Sequence, residues 1–184
     1  MKYRPHLTTY PRSGAHYFDR VFYKNTKFHI EHSHSVDWLY DRKNNKARVV
    51  ITIARDPKDS IASYIAHEKN KFSGLDWYVN DTRVSQIITE YIVMYNFLYE
   101  HADYIIDFND LVGKPEETVK RLFTLLDVSE KDCHLFDGHF GHEDPFFVES
   151  SKELPGYDRA RLDDFNLDLC YFYYHRLLEK KIEV

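Results

Sequence analysis

Residues Arg48 to Ala54 read Arg-Val-Val-Ile-Thr-Ile-Ala, a β-branched run with no polar face to offer water. A strand apolar on both sides belongs in the middle of a parallel sheet covered by helices, so this run predicts a central, buried strand. The residues just beyond it are equally constrained. Asp56-Pro57-Lys58-Asp59 carries helix-start chemistry, with Asp as N-cap, Pro at the first helical position and Asp at the third, and a helix should run from there to about Glu68.

The rest of the chain repeats that rhythm. Arg4 to Tyr10 predicts a short strand, and Ser13-Gly14 then opens a helix in which Tyr17, Val21 and Phe22 recur at helical spacing. Lys27 to Glu31 predicts a second short strand. Val84, Ile87, Ile88, Tyr91, Ile92, Tyr95 and Leu98 mark an amphipathic helix from about Asp81 to His101, a stripe that reads as core rather than as a ligand site. Tyr104 to Phe108 predicts another strand, and Lys114-Pro115-Glu116-Glu117 starts a helix whose Val119, Leu122, Phe123 and Leu126 face inward. Residues 137 to 157 read as a Gly-, His- and Pro-punctuated loop, and Phe165, Leu169, Phe172 and Leu177 mark a closing helix. There is no internal repeat. Alternating strands and helices predict an α/β fold in three layers, a central parallel sheet flanked by helices.

Composition narrows the function classes. A chain of 184 residues, 43% hydrophobic and 16% aromatic, suffices for a single domain over residues 1–184 that buries roughly 70% of its unfolded surface. Mean hydropathy is −0.59, and no stretch is apolar enough to span a bilayer. The N-terminal residues lack the apolar stretch of a signal peptide, so a cytoplasmic protein is expected, with Cys133 and Cys170 as buried thiols rather than a disulfide. A net charge of −5 offers no support for a nucleic-acid binder. The sign is uneven, however: the first 36 residues carry +4 and the remainder −9, which makes the N-terminal fifth the place to look for a bound anion.

Parallel sheets bind ligands beyond the carboxyl ends of their strands, so the strand tips are the places to examine. The first tip, Tyr10-Pro11-Arg12-Ser13-Gly14, sets a base, a hydroxyl and a glycine between strand and helix. Backbone N–H groups at such a helix start surround an anion, although an ordinary turn capped by Ser13 has the same composition. The Gly-Lys-Ser/Thr ending of a nucleotide-triphosphate P-loop is missing, and with it the hydroxyl that would hold Mg²⁺, which argues against a small kinase. The second tip has Arg55 at the end of the buried strand and Ser63 two turns into the next helix. A guanidinium fork and a hydroxyl suit a phosphate, while pairing of Arg55 with Asp56 or Asp59 is the plainer alternative.

Together these segments resemble the sulfotransferase family that uses 3′-phosphoadenosine 5′-phosphosulfate (PAPS). The resemblance rests on Tyr-Pro-Arg-Ser-Gly (Tyr10 to Gly14) followed by Arg-Asp-Pro-Lys-Asp-Ser-Ile-Ala-Ser-Tyr (Arg55 to Tyr64), and it covers about Leu7 to Asp127. It implies a P-loop-like α/β sulfotransferase fold. It further implies that Arg12, Ser13, Gly14, Ala15, His16 and Tyr17 hold the 5′-phosphosulfate, and that Arg55 and Ser63 hold the 3′-phosphate. Tyr17 and Phe108 fall where the family places aromatic residues, either of which suits a base. His32, Ser33 and His34 fall in register with the family's Lys-Thr-His stretch, which makes His34 the general base. Arg12 and a protonated His32 then stabilise charge on the bridging oxygen, and Glu31 is the runner-up base.

The implied activity transfers a sulfuryl group to a hydroxyl of a small-molecule or carbohydrate acceptor. Adenosine 3′,5′-bisphosphate (PAP) is the product and no metal is needed. A zinc reading of His29, His32 and His34, with His139 and His142 as a further pair, competes with it. Alternation along a strand turns His29 away from the other two. Ala15 and His16 stand where the family uses hydroxyl residues, and no Arg-Lys-Gly segment occurs near the C-terminus, where Lys152 is the substitute. These departures keep open a member of the fold that binds a nucleotide or a partner without catalysis.

Overall fold

The computed structural model describes residues 4–26, 30–35, 48–71, 79–128 and 157–184. Strand β1 (Arg4–Thr8) leads into helix α1 (Ala15–Thr26) and strand β2 (Glu31–Ser33). Strand β3 (Arg48–Ala54) is followed by helices α2 (Pro57–Lys71) and α3 (Asp81–His101), and then by strand β4 (Tyr104–Asp107). Helices α4 (Phe108–Gly113) and α5 (Pro115–Leu125), a 3₁₀ turn (Ala160–Asp164) and helix α6 (Asp168–Leu178) complete the described elements.

The four strands form a parallel sheet in the order β2-β1-β3-β4. The sheet is therefore the expected α/β core, and the apolar run lies where its composition predicts, between two neighbours. Its Ile51 and Ile53 are fully buried, each contributing roughly 1.5–3 kcal/mol of transfer free energy. One apolar cluster joins Leu7, Ile51, Ile53 and Ile106 to α1, α4 and α5, while a second joins Tyr10, Ala54 and Ile105 to α2, α3 and α6. Helices thus cover the sheet from two separate clusters, as the double-sided hydrophobicity of β3 requires.

Local chemistry explains the helix starts. Asp56 Oδ1 accepts from the Asp59 N–H at 3.0 Å, with Pro57 at the first position of α2, so the predicted cap is the one the chain uses. Asn80 Oδ1 likewise accepts from the Arg83 N–H at 3.0 Å to start α3. The stripe on α3 is buried as its periodicity predicts, except that Met94 joins it and Ile92 is only partly buried.

Several boundaries differ from the sequence expectation. The second strand, expected over Lys27–Glu31, is found at Glu31–Ser33, residues 27–29 lying outside the described ones. An edge strand is chosen by backbone register, here His6 opposite Glu31 and Thr8 opposite Ser33, more than by side-chain type. Helix α2 continues past Glu68 to Lys71, with Lys69 and Lys71 suiting its negative end. Phe108 opens α4 rather than ending β4, because the Asp107 carboxylate caps the Asn109 N–H at 2.9 Å.

Of the four residues that mark the closing helix, only Leu177 is fully buried. Leu169 and Phe172 are 57% and 50% exposed, Phe165 lies before the helix, and Cys170, Tyr174 and Leu177 are the residues that turn inward. Packing against α3 selected the tyrosine-bearing stripe, and Arg176 stacks 4.0 Å above the Tyr99 ring of α3. Cys170 is a buried free thiol, whereas Cys133 and all but the last residue of the predicted 137–157 loop lie outside the described residues. No described helix is long and apolar enough to cross a membrane.

Candidate functional site

Because β1 and β3 are adjacent and parallel, the turns after them emerge side by side. The first turn is closed by the Ser13 N–H donating to Tyr10 O at 3.2 Å, and Tyr10 itself is anchored through its hydroxyl to Ile87 O at 3.1 Å. Arg12 (φ 65°) and Gly14 (φ 93°) both adopt left-handed backbone, which for Arg12 is a conformation that L-residues rarely hold. Glycine is required at position 14 for a second reason: a Cβ there would lie 3.0 Å from Phe108 Cε2.

Helix α1 begins immediately after. Its first i→i−4 bond is the Phe18 N–H to Gly14 O at 2.9 Å, so the amides of Gly14, Ala15, His16 and Tyr17 precede the helical ladder. No acidic residue occupies this first turn, which leaves its positive end uncompensated from within the helix. Ala15 is buried, His16 is exposed and Tyr17 is half-buried against the α1 cluster. Ser13 Oγ is buried with no hydrogen bond within ordinary limits.

The second turn reaches into the first. The Arg55 guanidinium donates through Nη1 to Arg12 O at 2.6 Å and lies 4.4 Å above the Phe108 ring, the same ring whose edge closes on Gly14. Only 7% of Arg55 is exposed, and its Nε is buried without a partner. Burial lowers the pKa of both arginines, and the charge of Arg55 lowers that of Arg12 further. The nearby carboxylates of Asp59 and Asp56 compensate Arg55 in part. Asp59, however, also binds the Tyr157 hydroxyl at 2.9 Å and Arg159 Nη1 at 2.9 Å. Two half-desolvated cations held this close are a standing repulsion that an anion would relieve.

Ser63, expected to hold the 3′-phosphate with Arg55, accepts from Arg12 Nε at 3.3 Å. The hydroxyl therefore stands between the two arginines' turns rather than belonging to one of them. Phe108, expected as a base-stacking ring, has the Arg55 guanidinium over its face. Lys152 lies outside the described residues.

The third tip flanks the first on the sheet edge. His34, one residue past β2, has Nδ1 2.8 Å from Thr9 O. A carbonyl can only accept, so Nδ1 carries the hydrogen and Nε2 keeps its lone pair. Burial lowers the His34 pKa, the Thr9 hydrogen bond opposes that, and His32 and Arg12 lower it again. The neutral imidazole is thus the favoured form. The His32 ring is centred 5.9 Å from His34 and 5.2 Å from His16 on α1. Glu31 faces the other side of the strand, where its carboxylate is 3.7 Å from His6 Nδ1. Among the described residues no group of three His, Cys, Asp or Glu side chains is arranged to hold a metal ion, and His29, His139 and His142 of the zinc reading lie outside them.

Sequence reasoning missed two groups of partners. Thr9 acts through its carbonyl, which no side-chain pattern reports. Tyr91 and Tyr95, read as core, are core by burial, yet their hydroxyls bracket the Arg55 peptide. The Arg55 N–H donates to Tyr95 Oη at 2.9 Å, while Tyr91 Oη and Tyr95 Oη lie 2.9 and 3.2 Å from Arg55 O. The available signal was the choice of tyrosine at positions where leucine or phenylalanine would fill the same space.

The donors of these two turns suit two separate anionic groups, one at the start of α1 beside Arg12 and one at the Arg55 guanidinium with its unpartnered Nε. Comparison of the chain with protein-family models, with curated proteins and with solved structures finds no match.

Proposed function

We propose that the protein is a PAPS-dependent sulfotransferase that transfers a sulfuryl group to a hydroxyl of a small-molecule or carbohydrate acceptor. The observation that carries this reading is the joining of the two turns: Arg55 Nη1 on Arg12 O, and Arg12 Nε on Ser63 Oγ. A single donor molecule with a phosphate at one end and a phosphosulfate at the other matches two such anion-seeking turns held side by side.

In this reading the amides of Gly14 to Tyr17 and the Arg12 guanidinium bind the 5′-phosphosulfate. Arg55 binds the 3′-phosphate, with Ser63 poised between the two arginines, and Tyr17 lies toward the base. His34 Nε2 takes the proton from the acceptor hydroxyl as its oxygen bonds to sulfur. The bond from sulfur to the bridging oxygen breaks, and that oxygen leaves with its electron pair on the bisphosphate. Arg12 and the His32 ring offset the charge that builds there. The lone pair on Nε2, fixed by the Thr9 hydrogen bond on Nδ1, supports His34 over Glu31, which is turned toward His6.

The test is ligand-dependent unfolding followed by an assay. Adenosine 3′,5′-bisphosphate should raise the melting temperature more than ATP with Mg²⁺, and the protein should exchange sulfuryl groups between PAPS and a simple phenol. Stabilisation by ATP instead would favour a kinase. Stabilisation by the bisphosphate without turnover would identify a binding protein of the same fold.

A further inference from the structure

Strand β3 ends at Ala54, and the first helical bond of α2 is the Ser60 N–H to Asp56 O at 2.9 Å. Arg55 falls between the two ladders, so neither its N–H nor its carbonyl has a partner from secondary structure, although the residue is buried. Both are met by phenols from α3. Tyr95 Oη accepts from the Arg55 N–H at 2.9 Å, and Tyr91 Oη donates to Arg55 O at 2.9 Å. The two rings stack at 3.9 Å and are fully buried, so neither hydroxyl can move without displacing the core.

Tyr95 has a second neighbour of consequence. The Ser13 side chain, in the turn after β1, lies close enough to polarise the Tyr95 hydroxyl and oppose the upward push of burial on that phenol. The phenol oxygen bonded to the backbone of the second turn is thus also sensitive to a side chain of the first.

We propose that Tyr95, supported by Tyr91, is a positioning residue that sets the direction in which the Arg55 guanidinium leaves the backbone, and so governs discrimination for a ligand's 3′-phosphate. This rests on the sulfotransferase reading above. The hydroxyl touches no ligand; it fixes the Arg55 peptide plane, and from there the guanidinium reaches Arg12 O and presents its free Nε. Removing the hydroxyl frees the peptide to tilt, and a tilt at Cα is amplified along a long side chain. The charge remains but its aim is lost.

The experiment measures, by titration calorimetry on the full chain, the affinities of adenosine 3′,5′-bisphosphate and of adenosine 5′-monophosphate, which differ only in the 3′-phosphate. Wild type should prefer the bisphosphate. In Tyr95→Phe, bisphosphate affinity should fall about tenfold, the typical worth of one buried hydrogen bond, while monophosphate affinity stays within about twofold. Retained preference, or an equal loss for both ligands, overturns the proposal, because a merely structural phenol would not change the ratio. If Tyr95→Phe does not fold, Tyr91→Phe is judged by the same ratio. Absence of any preference in wild type is a different result: it removes the sulfotransferase reading itself, before any variant is made.

Discussion

The turns after β1 and β3 occupy equivalent places on neighbouring parallel strands, yet they are built in opposite ways. The first bends through two left-handed residues, Arg12 and Gly14, keeps a buried Ser13 hydroxyl without an ordinary bond, and leaves its backbone amides ahead of the helical ladder. The second has its backbone tied by two buried phenols and capped by Asp56, and it reaches out with a side chain. One turn offers main-chain donors at the cost of local strain. The other offers a guanidinium whose root is locked. A rigid helix start needs no long side chain to meet an anion, whereas a flexible arginine needs an anchored backbone.

The substitution that should matter most lies beside the first turn. His34→Ala should lower turnover about 10²–10⁴-fold while bisphosphate affinity changes by less than about twofold, as initial rates and calorimetry would show. Full retained activity would remove His34 as the base. The His34 pKa is lowered in the folded chain, so the rate should hold above the ordinary histidine value of about 6.5 and fall only as pH drops through the lower, folded value. Stability has the same sign. The neutral ring's contribution is complete above the unfolded pKa and is lost as pH falls through the folded one, so urea midpoints should decline in acid and decline less in His34→Ala.

Next in size is Arg55→Ala, which should weaken the bisphosphate about 10- to 100-fold and the monophosphate far less, by titration calorimetry. Arg55→Lys should not restore the loss, since an ammonium cannot reach Arg12 O and a phosphate with the same fork. Equal sensitivity of both ligands would mean that the second turn is not specialised for the distal phosphate.

Gly14→Ala should destabilise by about 1–3 kcal/mol in urea unfolding, from its positive φ and its contact with Phe108. Combining it with Phe108→Leu separates the causes: recovery points to the ring, persistence to the backbone. Asp56→Ala, on the locked turn, should cost about 1 kcal/mol through loss of the α2 cap. The smallest stability change is expected for Arg12→Gly. Relief of the left-handed conformation offsets glycine's flexibility to within about 1 kcal/mol, even as bisphosphate affinity falls. A large stability loss there would show that the Arg12 side chain, through Ser63, holds the turns together mechanically.

Much of this architecture is legible in the chain itself. The run from Val49 to Ala54 could only be a covered strand, and Asp56-Pro57 could only start a helix there, because both result from local sterics and hydrogen-bond supply. Arg12, Ser13, Gly14 and Arg55 could be singled out because strand ends in a parallel sheet are where ligands gather, and His34 through the resemblance carried by His32 to His34. Position on the chain did not disclose partnership. That Ser63 answers Arg12, that Phe108 carries Arg55 and that His16 joins His32 are consequences of how α1, α2 and α4 lie against the sheet.

The closing helix makes the same point from the apolar side. Leu169 and Phe172 repeat at helical spacing as convincingly as Tyr174 and Leu177, and hydrophobicity alone does not say which stripe faces α3. The elements, their caps and the strand tips were written into the order of the residues, since these depend on neighbours only a few positions away. Which helix face is buried, which hydroxyls satisfy the Arg55 backbone and which nitrogen of His34 keeps its lone pair emerged only once the chain had folded on itself. The Arg55 and His34 contacts each depend on a phenol or a carbonyl brought from 25 or more residues away in the chain, and no local preference encodes such a meeting.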